Sequence, residues 1–93
     1  MAIVTVTATV SKGFPAPSLD IEIFANNMSV KLDHWDIVEK GQSVQSSTEV
    51  ESGEVFAKAR LSNPFGTVEA ESPHQQIEPA LPSASIISIE VVV

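Results

Sequence analysis

The sequence predicts an all-β protein, an antiparallel β-sandwich of about seven to eight short strands. Three observations predict it. Short segments alternate apolar and polar residues with a period of two, and β-branched residues dominate them. Gly, Pro, Asn and Ser fall between those segments at regular spacing. No segment carries a convincing helical period, and no repeat is present. A small closed β-barrel is the alternative. The 93 residues are read as one domain, 1–93, long enough to bury ~60–65% of the unfolded surface without a disulfide or metal staple.

Taken in order, residues 2–10 form a first strand, with Val4, Val6, Ala8 and Val10 inward and Ile3, Thr5, Thr7 and Thr9 outward. The threonine stripe resembles the flat ladders of ice-binding surfaces, but one stripe on one strand reads more simply as a solvated face. Gly13, Pro15 and Pro17 make residues 11–18 a loop, with Phe14 inside it. Leu19, Ile21, Ile23 and Ala25 line the inside of a second strand. Asn26-Asn27, tolerant of positive φ, then makes a two-residue hairpin turn. The expected register sets Ala25 opposite Met28, Ile23 opposite Val30, Ile21 opposite Leu32 and Glu22 opposite Lys31. It leaves Asp20 unfavourably facing Asp33.

At Asp33-His34-Trp35-Asp36 the alternation breaks, since Trp35 and Ile37 are out of phase with Val30 and Leu32. A bulge or a change of sheet is expected there, with a short helical turn over 33–39 as the alternative. Residues 39–42 form a turn, 43–51 a polar edge strand and Ser52-Gly53 another turn. In the next hairpin Val55, Ala57, Ala59 and Leu61 face inward, followed after the turn by Val68 and Ala70. A four-residue connection, Asn63 to Gly66, sets Leu61 opposite Val68, Ala59 opposite Ala70, Arg60 opposite Glu69 and Lys58 opposite Glu71. A one-residue slip would lose every one of those pairs. PHQQIEPALP, residues 73–82, is expected to be a crossover loop. The closing SASIISIEVVV places Ile87, Ile89, Val91 and Val93 on one face and Ile86 and Val92 on the other. That predicts a strand either central in the sandwich or part of a subunit interface.

The segment from Ala59 to Gly66, with its Asn-x-x-Gly turn, resembles the last hairpin of immunoglobulin-type domains, which implies an immunoglobulin-like general architecture. The likeness covers under a tenth of the chain. The cysteine pair and the tyrosine before the second cysteine are absent, and Trp35 stands too near in sequence to be the core tryptophan. Shared turn chemistry accounts for it.

Composition removes several function classes. The absence of cysteine excludes disulfides, thiolate zinc sites and thiol catalysis. Twelve acidic against five basic residues give a net charge of −7, which makes nucleic acid and anionic lipid poor partners. Membrane insertion is not expected, because no apolar run approaches the ~20 residues a spanning helix needs. The N-terminal residues lack a signal-peptide pattern, so a cytoplasmic location, or export without a classical signal peptide, is expected.

Candidate functional residues are few. Asp33, His34, Trp35 and Asp36 combine an aromatic ring with carboxylates, the pairing that grips a sugar through its C–H face and hydroxyls. Calcium on Asp33, Asp36 and Glu39 has the right ligand chemistry but matches no loop spacing. His34 and His74 lie forty residues apart without a metal-binding spacing, and no serine sits in a nucleophile motif. No cofactor and no enzymatic activity are expected. Phe24 and Phe56 fall on outer faces, Phe65 at a turn tip and Phe14 in a loop. Together with Ile86 and Val92 they point to apolar surface at an interface. The expected function is therefore a non-catalytic, self-associating structural or assembly module, its partner most readily itself. A carbohydrate-binding, lectin-like module centred on Trp35 and an acidic inhibitor of a basic protein are the alternatives.

Overall fold

The computed structural model describes residues 2–13, 15, 17–78 and 85–93. They form eight strands and no helix: β1 (Ala2–Thr9), β2 (Ser18–Ala25), β3 (Met28–Trp35), β4 (Ser43–Val50), β5 (Gly53–Asn63), β6 (Gly66–Glu71), β7 (Gln75–Ile77) and β8 (Ser85–Val92). The strands make two packed sheets, a β-sandwich. One sheet has the order β4-β1-β8; the other has the order β3-β2-β5-β6, with β7 also pairing β5. Both sheets have open edges, so the chain does not close into a barrel.

The alternation in β1, β2 and β5 builds the layer between the sheets. Val4, Val6, Leu19, Ile21, Ile23 and Leu61 are fully buried there. Burying each such side chain is worth ~1.5–3 kcal/mol. Thr5, Thr7 and Thr9 face outward, as the pattern requires. The β5–β6 hairpin has the expected register, with Leu61 opposite Val68, Ala59 opposite Ala70, Arg60 opposite Glu69 and Lys58 opposite Glu71. The Asn63 side chain secures the turn by accepting from the amides of Phe65 and Gly66 at 2.9 and 3.1 Å. This hairpin is not the last of the fold, since β7 and β8 follow it. That separates it from the immunoglobulin pattern it resembles.

Three expectations and one alternative require correction. Asn26 and Asn27 do turn with φ of 53° and 64°, and Ala25 does face Met28. Beyond them, however, a bulge leaves Val30 without a cross-strand partner. Ile23 therefore faces Lys31, Glu22 faces Leu32, Ile21 faces Asp33 and Asp20 faces His34. The break in periodicity was real but lies three residues earlier than its visible symptom. Its physical reason is plain: the shifted register exchanges an Asp20–Asp33 repulsion for an Asp20–His34 attraction and turns Trp35 toward the core beside Leu19. Second, the alternative of a helical turn over 33–39 is not formed: the stretch is extended, as expected first, and β3 runs to Trp35 and then bends.

Third, the expected crossover loop at 73–82 contains β7, a three-residue strand against Gly53–Val55 of β5. Residues 79–82 of that segment lie outside the described residues, as does Phe14. Fourth, β8 is not central. It lies at the edge of its sheet and pairs with β1 in parallel, in an otherwise antiparallel fold. Its doubly apolar pattern comes from an inner face on the core and an outer face open to solvent.

Candidate functional site

Strand alternation divides the Asp33–Asp36 cluster. Trp35 is half-buried against the core, and Asp33, two residues earlier on the same face, reaches across the sandwich. There its carboxylate accepts from the hydroxyl of Ser46 on β4, one of two buried polar side chains among the described residues. His34 points the opposite way, onto the outer face, where its Nδ1 meets Asp20 Oδ1 at 2.5 Å and its Nε2 meets Asp36 Oδ1 at 2.7 Å. The ring that would stack on a sugar and the exposed carboxylate of Asp36 thus belong to different faces of the strand.

His74 repeats the arrangement of His34 on other elements. Its Nδ1 meets Glu54 Oε1 of β5 and its Nε2 meets Glu71 Oε2 of β6, both at 2.9 Å. A neutral imidazole has one N–H and one lone pair, so it can donate to only one carboxylate. Two carboxylate contacts on one ring describe an imidazolium donating twice. The pKa directions follow from the same contacts. His34 is raised above its ordinary 6.5, first by the hydrogen bond to Asp20 and then by that to Asp36. His74 is raised above 6.5 first by Glu71 and then by Glu54. In that protonated form, with both nitrogens donating, a ring offers no lone pair to a substrate proton or a cation. Among the described residues, no group of three or more His, Asp or Glu side chains is arranged to hold a metal ion.

The His74 ring also lies flat on Phe56, 4.1 Å between centroids and 3° from parallel. Phe24 stacks on Phe56 at 4.9 Å and 8°, and Lys58 Nζ stands 5.5 Å from the Phe24 centroid. Phe56 is therefore on the outer face, as the pattern predicts, yet only 7% exposed. Its own subunit covers it, which removes it from the surface open to a partner. Phe24 is half-buried in the same stack, whereas Phe65 stands 89% exposed at the hairpin tip.

No family model, curated protein or solved structure matches this chain. The site must therefore be read from its own surface. Ile86 and Val92 on the outer face of β8 are 68% and 62% exposed. The edge strand β3 exposes Met28, Val30 and Leu32. A groove of about 270 Å³ runs beside the middle of β8, between Pro73-His74-Gln75 and Ser88-Ile89-Glu90. No helix among the described residues is long and apolar enough to cross a membrane.

The His74 clamp depends on the pairing of β7 with β5, which the expected loop concealed; the His34 clamp and the β3 patch escaped sequence reasoning for one reason. Asp20–His34 becomes visible only once the bulge is placed at Val30, and the unfavourable Asp20–Asp33 contact was the available signal that the regular register was wrong.

Proposed function

We propose that this protein is a non-catalytic module that associates with copies of itself through its sheet edges, in a structural or assembly role. One observation carries the reading. Of the seven large apolar side chains exposed among the described residues, five lie on the edge strands β3 and β8: Met28, Val30, Leu32, Ile86 and Val92. An edge strand offers unpaired backbone groups, and apolar side chains on it add burial to any strand that pairs there. A carbohydrate module would need Trp35 and the carboxylates on one surface. An inhibitor of a basic partner rests on the net charge alone.

The test is molar mass in solution by light scattering across a wide concentration range. The expected result is a mass that rises from monomer to a defined oligomer. A constant monomer mass at every concentration would overturn the proposal.

A further inference from the structure

We propose that two copies pair through β8 across a two-fold axis, joining their three-stranded sheets into one six-stranded sheet. This rests on the self-association proposed above and gives it a strand, a register and a symmetry. Two of the other edges carry features that discourage strand addition, and the third offers no apolar outer face. β3 has the bulge at Val30 and the charged residues Lys31 and Asp33. β4 is as long and as regularly paired as β8 and also bears one charge, but its outer side is polar: Ser43, Gln45, Ser47 and Glu49, opposite Thr9, Thr7, Thr5 and Ile3 of β1. β6 is six residues long and carries Glu69 and Glu71. Bulges, short strands and charges are the usual protections of a sheet edge. β8 has eight residues, pairs regularly with β1, lacks Pro, Gly and Lys, and bears one charge, Glu90.

Backbone direction fixes which groups of β8 face the open edge. The Val93 amide donates to Thr9 O at 2.9 Å, and Val93 O accepts from the Ser11 amide at 2.6 Å, so both of its groups turn toward β1. Alternation turns the groups of Val91, Ile89 and Ile87 the same way. It leaves those of Ile86, Ser88, Glu90 and Val92 aimed away from β1. An antiparallel partner must set these four residues against their own kind.

Three central registers satisfy that rule. One places Glu90 opposite Glu90 of the second copy, a like-charge contact. A shift in the other direction places Glu90 opposite Ile86 and Ser88 opposite Ser88, setting a carboxylate against an apolar side chain. The register between them is self-complementary. Ile86 faces Val92 of the second copy, and Ser88 faces Glu90, so that each hydroxyl donates to a carboxylate. The axis passes between the two Ile89 residues. Each outer-face pair exchanges two backbone hydrogen bonds, and the Ile89 Cα atoms stand about 4.5 Å apart, the spacing of a non-hydrogen-bonded pair. A groove of about 270 Å³, walled on its far side by Pro73, His74 and Gln75, adjoins that midpoint at Ser88, Ile89 and Glu90.

The absence of cysteine makes the register directly testable. Ile89→Cys should form a disulfide-linked dimer under mild oxidation, since the predicted spacing lies within disulfide range. Ile87→Cys alone should not, but mixed with Val91→Cys it should form the mixed dimer. Ile86→Lys and Val92→Lys alter exposed side chains, so the fold should persist while light scattering shows loss of the dimer. They decide the matter even if a cysteine variant fails to fold. Wild-type protein that self-associates while Ile86→Lys and Val92→Lys remain dimeric would overturn the β8 seam and leave self-association standing. Loss of the dimer in those variants with cross-linking through Ile87→Cys alone would overturn the register. A wild-type chain that is monomeric throughout would overturn both.

Discussion

Ser72 closes a gap that the strand pattern does not reveal. Its amide donates to Ala57 O at 2.8 Å, and its hydroxyl accepts from the Ala57 amide at 2.8 Å where the chain passes from β6 to β7. The side chain replaces a backbone carbonyl in the ladder beside β5. Ser72→Ala should therefore leave a buried N–H unpaired and cost about 1–3 kcal/mol, read as a lower denaturation midpoint with an unchanged slope. Gly53 is constrained differently. Its φ is +109°, and a Cβ there would stand 2.0 Å from Asn26 Oδ1, the atom that accepts from the Glu54 amide. Gly53→Ala should destabilise by about 1–3 kcal/mol through backbone strain and loss of that contact. The histidines supply a pH dependence. A pKa raised on folding contributes stability that is fully present below 6.5 and is lost as pH rises through the folded value. Thermal midpoints should therefore fall as pH rises above 6.5, and His34→Gln with His74→Gln should flatten the fall. Proton exchange followed by NMR should place both imidazole titrations above 6.5; values at or below it would refute the double-donor geometry.

At the scale of elements, the hairpins separate what a sequence reveals from what it conceals. The β5–β6 register was legible because both faces report it: apolar opposes apolar inside, and Arg60 opposes Glu69 outside with a 2.8 Å ion pair. The β2–β3 register was not. Met28, Val30 and Leu32 lie on an exposed edge, so their apolar pattern records no core face and misdirects the alignment. Only the Asp20–Asp33 conflict opposed the regular pairing. The bulge predicts an unusual tolerance. Deleting Val30 removes the unpaired residue and preserves Ile23 opposite Lys31, Asp20 opposite His34 and Leu19 opposite Trp35. That variant should keep the native tryptophan emission and unfold cooperatively. Inserting one alanine between Leu32 and Asp33 cannot be absorbed by closing the bulge; it shifts Asp33 and Trp35 to the wrong faces and should abolish cooperative unfolding. Equal damage from the deletion and the insertion would contradict the assigned bulge.

At the scale of the whole molecule, the two-sheet class was legible because periodicity reports burial, which is a local property. The strand order was not, because nothing in β8 announces that it runs parallel to β1, with Ala2 beside Ser85. The candidate site followed the same division: Ile86 and Val92 were legible as surface, while Phe56 was hidden by a histidine from a distant segment. Net charge then sets the conditions under which a seam can form. Each copy carries −7, and the proposed contact brings apolar, hydroxyl and carboxylate groups together without joining opposite charges in ion pairs. Association therefore works against a repulsion that salt screens, with a Debye length falling from ~30 Å at 0.01 M to ~8 Å at 0.15 M. Dimerisation should strengthen as sodium chloride rises over that range, and sulfate should strengthen it further by favouring apolar burial. Light scattering at fixed protein concentration reads this directly. A dimer that weakens with added salt would instead be held by attraction between opposite charges. It would draw on the five basic residues, none of which lies on β8, and the seam would have to be sought on another edge.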